Sequence, residues 1–149
     1  MASVVVDDHL LRDILTGERA PDLGGLAPDG VATTGLWLFR LCSSLADPQM
    51  VGKLSEPVAG LPADVQDRFR AQITELPDEI EVLPMRELSW SMALLRHRHR
   101  SQGRGMSAAM VEALASAHRL GAGIAVSTGD VGPNLRESAI ADGIAFHAL

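Results

Sequence analysis

Two apolar runs in this chain end in carboxylates, and those acids are the first candidates for chemistry. "VVVDDHLL" (4–11) carries three valines into Asp7 and Asp8. "GIAVSTGD" (123–130) carries a second apolar run into Asp130. An acid at the end of a buried strand either caps the helix that follows or reaches into a site. Asp7 admits both readings, because Asp is a strong N-cap and a helical pattern starts near His9. Asp8 reads as solvent-facing or capping.

A second group is basic. "RHRHRSQGRG" (96–105) holds Arg96, Arg98, Arg100 and Arg104 with His97 and His99. Cations suit a helix C-terminus. They also suit a phosphate-contacting edge, although no aromatic residue that could stack a base lies within the stretch. His97 and His99 stand two positions apart and do not share a helix face, so a zinc pair is not expected. His9, His118 and His147 have no ligand spacing either. No nucleophile motif supports a Ser–His–Asp triad. "GAGIAV" is no dinucleotide fingerprint, because it does not follow a strand and open a helix.

The elements that must position these groups alternate. Strand patterns cover 3–6, 31–34, 80–84, 123–128 and 143–149. Helical patterns cover 9–16, 35–46, 62–76, 85–102, 106–120 and 133–141. "GERAPDLGGLAPDG" (17–30) is a loop by its Gly and Pro content. Strands alternating with helices predict a three-layer α/β/α domain with a mainly parallel central sheet. Sites in such sheets lie outside the carboxyl ends of the strands, where Asp7 and Asp130 would both stand. The helix at 35–46 is apolar on nearly every side, which predicts deep burial or a subunit interface. Cys42 lies on it and reads as an inert core thiol.

The bulk numbers narrow the class. A length of 149 residues predicts one domain, 1–149. With 46% hydrophobic and 21% charged residues the chain is globular in composition. Two Trp, three Phe and no Tyr leave the core to aliphatic side chains and Met. A formal net charge of -6 gives no global basic footprint for nucleic acid. The single cysteine fits a reducing compartment. The N-terminus enters a strand pattern without a signal-peptide pattern. No apolar run approaches the ~20 residues of a membrane span. A cytoplasmic protein is therefore expected.

The order of elements resembles the PIN domain, best known from VapC-type toxin ribonucleases of bacterial toxin–antitoxin pairs. "VVVDDHLL" resembles its opening strand and first acidic motif. "IEVLPMRELSWSMALL" is similar to its strand and helix before the third motif. "EALASAHRLGAGIAVSTGD" resembles its alanine-rich helix, next strand and Thr-x-Asp ending, and "ADGIAFHAL" its closing strand. The resemblance covers nearly the whole chain.

It implies about four carboxylates holding Mg²⁺ or Mn²⁺ and cleaving RNA. Mg²⁺ takes hard oxygen ligands, and such ions activate water and stabilise a leaving oxygen. The first acid falls on Asp7 and the fourth on Asp130. The second falls on Arg40, where the family has Glu. The third falls on Met110 when counted back from Gly121, and on Glu112 when counted back from Thr128-Gly129-Asp130. Two unit charges ~4 Å apart interact by roughly 4 kcal/mol at an effective dielectric near 20. An inward Arg40 would thus oppose a dication. Arg40 either snorkels to the surface or pairs with Asp7, Asp130 or Glu112 in the metal's place.

The reading that follows is a divergent PIN-like domain with an incomplete, weak or inactive site. The alternative is an active Mg²⁺- or Mn²⁺-dependent ribonuclease using Asp7, Glu112 and Asp130, with Asp8 filling the gap. A third reading is a non-catalytic interaction module dimerising through helix 36–46. An RNA substrate, an antitoxin-like partner and a homodimer are the partners implied.

Overall fold

A computed structural model describes the backbone of residues 1–149 and every side chain except that of Asp130. Five strands form one sheet: β1 (Val4–Val6), β2 (Val31–Thr33), β3 (Glu81–Val82), β4 (Gly123–Val126) and β5 (Phe146–Ala148). Their order is β3-β2-β1-β4-β5, and every pair is parallel. The expected α/β architecture is thus present, with all strands running one way.

The valine triplet takes the centre because it can be buried on both faces. Val5 faces one core cluster with Ala32, Ile124 and Val126. Val4 and Val6 face the other, with Val31 and Ala125. That alternation is the period of two of a strand. One layer holds α5 (Met85–Ser101), α6 (Ala108–Leu120) and α7 (Pro133–Ala141), through Leu88, Leu114 and Leu135. The opposite layer holds α1 (Asp8–Thr16) and α4 (Ala63–Thr74), through Leu10, Leu11 and Phe69. Helix α2 (Gly35–Ala46) serves both clusters: Trp37 enters the first and Leu41 and Leu45 the second.

Some boundaries differ from the sequence pattern. Only Glu81 and Val82 of 80–84 pair, since this is an edge strand and α5 begins just after Pro84. The last strand starts at Phe146 and not at 143, because Gly143 adopts φ +71° and turns the chain. A short helix, α3 (Glu56–Ala59), stands between the helical patterns at 35–46 and 62–76, where the sequence reading placed no element. On α2, Trp37, Leu41 and Leu45 are buried, while Phe39 is 66% exposed. The helix is therefore two-sided, not buried all round. No helix among the described residues is long and apolar enough to cross a membrane.

Candidate acidic pocket

Parallel pairing sets the ends of β1, β2 and β4 along one edge of the sheet, and Asp7 is the first residue beyond β1. Its backbone is extended (φ -77°, ψ 179°) and its Oδ1 accepts from Leu10 N at 2.9 Å, capping α1. Its Oδ2 accepts from Ser127 N at 2.9 Å, just past β4. The same side chain lines a cavity of about 110 Å³ together with Trp37, Arg40, Ser107, Met110 and Gly132. Asp7 therefore caps α1 and also lines this cavity. Burial raises its pKa to about 6, and the two backbone N–H groups only partly offset that.

Asp8 corrects an expectation. It is 0% exposed, not solvent-facing. It opens α1 on the side where α1 packs against α2. Its Oδ1 accepts from His9 N at 2.9 Å, and its Oδ2 lies 3.3 Å from Arg40 Nε. Arg40 was expected at the surface or on Asp7, Asp130 or Glu112, of which the pairing with Asp130 lies outside the described residues. It is half-exposed, lines the cavity beside Asp7 and makes this ion pair with Asp8.

The two counts for the third acid separate in space. Met110 lines the cavity. Its terminal methyl lies where a Cβ on residue 132 would stand, so a side chain there would have to displace the flexible end of Met110. Glu112, two positions on, turns to a different side of α6. It is 1% exposed, and its Oε1 accepts from Leu36 N at 2.8 Å. Its Oε2 would lie 3.4 Å from a Cβ at Gly35. Glu112 thus satisfies an orphan N–H at the start of α2, where a negative charge also suits the helix dipole. Asp130 ends a 3₁₀ turn (Thr128–Asp130) after β4. Its side chain lies outside the described residues.

The described polar side chains on the cavity are thus one carboxylate with both oxygens engaged by backbone N–H groups, one guanidinium and the Ser107 hydroxyl that caps α6, beside Trp37, Met110 and aliphatic residues. No group of three or more His, Cys, Asp or Glu among the described residues could hold a metal ion. A hard dication wants clustered oxygen ligands, and the described side chains supply no such cluster.

The basic stretch behaves differently from a free phosphate edge. Arg98 donates two hydrogen bonds to Asp142, at 2.8 and 2.9 Å. His99 Nε2 and His118 Nε2 both reach Asp142 Oδ2, at 3.1 and 2.7 Å. Arg104 Nε donates to His99 Nδ1 at 3.0 Å. Burial alone would raise Asp142, but the hydrogen bonds from Arg98, His118 and His99 outweigh it and hold this carboxyl well below the usual range. Arg98 and Arg104 are therefore tied into an internal network joining α5, α6 and the end of α7. Arg96 and Arg100 remain exposed. The sequence reading missed Asp142. Nothing local marks Asp142, whose partners are 24 to 44 positions away.

No family model matches the sequence, and a search of curated proteins finds no match. Among solved structures the chain is similar to FitAB bound to an IR36 DNA fragment. The TM-score is 0.57 at 14% identity, covering 96% of this chain and 92% of that one. At that identity the likeness concerns the fold, and it supports a three-layer PIN-like α/β domain.

Proposed function

We propose that this chain is a PIN-like domain of the toxin–antitoxin type whose acidic pocket has lost its cation chemistry. The observation that carries the reading is Arg40 on the cavity wall, 3.3 Å from Asp8 and beside Asp7. A guanidinium there opposes a dication: two unit charges ~4 Å apart already repel by roughly 4 kcal/mol at an effective dielectric near 20, and a dication carries twice the charge. Met110 stands where one count of the family motif places a carboxylate. The resemblance in element order and the fold likeness to FitAB support the class. Arg40 neutralises the remnant site, Mg²⁺ and Mn²⁺ are not resident, and RNA cleavage is weak or absent. What remains is binding, to an antitoxin-like protein or a second copy, in the cytoplasm. The 66% exposure of Phe39, next to Arg40 on α2, favours that helix as the contact for a partner or a homodimer.

Titration calorimetry with Mn²⁺ and an RNA-cleavage assay test this against the active-enzyme alternative, in which Asp7, Glu112 and Asp130 work as catalytic carboxylates. The wild type is expected to give no binding heat and no cleavage. The double variant Arg40→Glu with Met110→Asp, checked for folding by circular dichroism, is expected to gain Mn²⁺ binding. Mn²⁺-dependent cleavage by the wild type that Asp7→Ala abolishes would overturn the proposal.

A further inference from the structure

The outer face of α5 carries a pattern that the acidic pocket does not use. Steps of three, four and seven residues return to one side of a helix. Arg86, Trp90, His97 and Arg100 are related by such steps, with Leu94 and Arg96 on the flanks. Trp90 is 75% exposed and Leu94 54%. Arg86, Arg96, His97 and Arg100 are exposed too. The opposite face, with Leu88, Leu95 and His99, is buried. The helix is therefore anchored through its other side, and Trp90 is not a core residue out of place.

At 1.5 Å per residue the column from Arg86 to Arg100 is about 21 Å long. It holds guanidinium groups at both ends and no carboxylate between them. Glu87 lies on the flank at its N-terminal end. This is a local reversal of sign in a chain of net charge -6. At its other end, α5 leads through the loop 102–106 to Ser107 on the cavity rim.

We infer that this face of α5 docks single-stranded nucleic acid, with Arg86, Arg96 and Arg100 on phosphates and Trp90 stacked on a base. Exposed aromatic area interleaved with cations is the combination that single strands require. A duplex hides its base faces from such a side chain. Self-association through the same face is disfavoured by charge. An antiparallel copy related by a two-fold axis would bring Arg86 of one protomer toward Arg100 of its partner. The inference is independent of whether the acidic pocket binds a metal.

Trp emission reads the proposal directly, because Trp37 is 4% exposed and Trp90 75%. Oligouridine, oligodeoxythymidine and a DNA duplex are titrated into the full chain, with anisotropy of labelled oligonucleotide as a second signal. Both single strands are expected to quench Trp90 saturably, and the duplex less. Three phosphate contacts give a slope of about -2 for log affinity against log salt, or about 16-fold weaker binding at 200 than at 50 mM. Trp90→Ala is expected to weaken binding about tenfold, while Trp90→Phe retains most of it. Arg96→Ala and Arg100→Ala are each expected to flatten the slope by about 0.7. These positions are exposed, so the variants should fold. Absence of quenching and of anisotropy change at 50 mM salt overturns the inference. So does binding that Trp90→Ala leaves unchanged. A dimer that Trp90→Ala dissociates, with no loss of oligonucleotide affinity, would assign the face to self-association instead.

Discussion

Arg40 Nε stands 3.3 Å from Oδ2 of Asp8, a carboxylate with no exposed surface. The pair links the first turn of α1 to the middle of α2 at the edge of the cavity. Its two members differ in environment, since Arg40 keeps about half its side chain in water. Breaking a fully buried pair costs about 3–5 kcal/mol, and an exposed one under about 1 kcal/mol. Arg40→Ala should fall between, at about 1–3 kcal/mol. Urea denaturation checks the value. In a double-mutant cycle, adding Asp8→Asn should recover part of the loss, because the uncompensated charge goes with it.

The sequence disclosed the architecture because its signals are local. A valine triplet, glycine-ended helices and a strict alternation of elements need no tertiary information. The site was legible only in part. Asp8 lies one residue beyond the capping aspartate, and its burial depends on how α1 meets α2. Helix α6 is buried continuously from Val111 to Ala117, so its periodicity could not tell whether Met110 or Glu112 faces the cavity. Trp90 was missed because the helix was read for its basic end, not for the face its tryptophan shares with Arg86 and Arg100.

Asp7 makes stability depend on pH in an unusual direction. Its folded pKa is about 6, above the ordinary 3.8. The folded state therefore holds the proton more tightly than the unfolded state. This contribution is fully present below the ordinary value and is lost as pH rises through 6. Between pH 5 and 7 the loss should be about 1 kcal/mol. Asp142 is ionised in both states across that window, so it does not obscure the trend. Asp7→Asn should be less stable throughout, since one of the two N–H groups on its oxygens would face an amide N–H. Comparing the two stability–pH curves from pH 5 to 7 isolates Asp7, and equal slopes would refute the assignment.

Glu112 should behave as a structural acceptor, whatever the family motif implies for its position. Its Oε1 satisfies Leu36 N at 2.8 Å. Glu112→Ala removes that acceptor and leaves a void in the tightly packed α6 face. A loss of about 2–4 kcal/mol follows from an unsatisfied buried donor plus a cavity. Glu112→Gln keeps an acceptor oxygen and should lose markedly less. Thermal unfolding of the two variants measures the difference. If both lose the same amount, the hydrogen bond to Leu36 is not what Glu112 supplies.

Asp142 joins three helices through one carboxylate, so its removal should loosen the side of the sheet that carries α5. Arg98 and His118 are partly exposed and can return to water, at 48% and 40% side-chain exposure. His99 cannot, because it is fully buried. The penalty for Asp142→Ala therefore centres on His99, left with an unsatisfied Nε2 donor while Arg104 still donates to its Nδ1. A cost of about 2 kcal/mol is expected, with faster amide exchange at the C-terminal ends of α5 and α6. Asp142→Asn keeps one acceptor for His99 but loses the charge on Arg98. It should fall between the wild type and Asp142→Ala, and its stability should show a weaker salt dependence than the wild type.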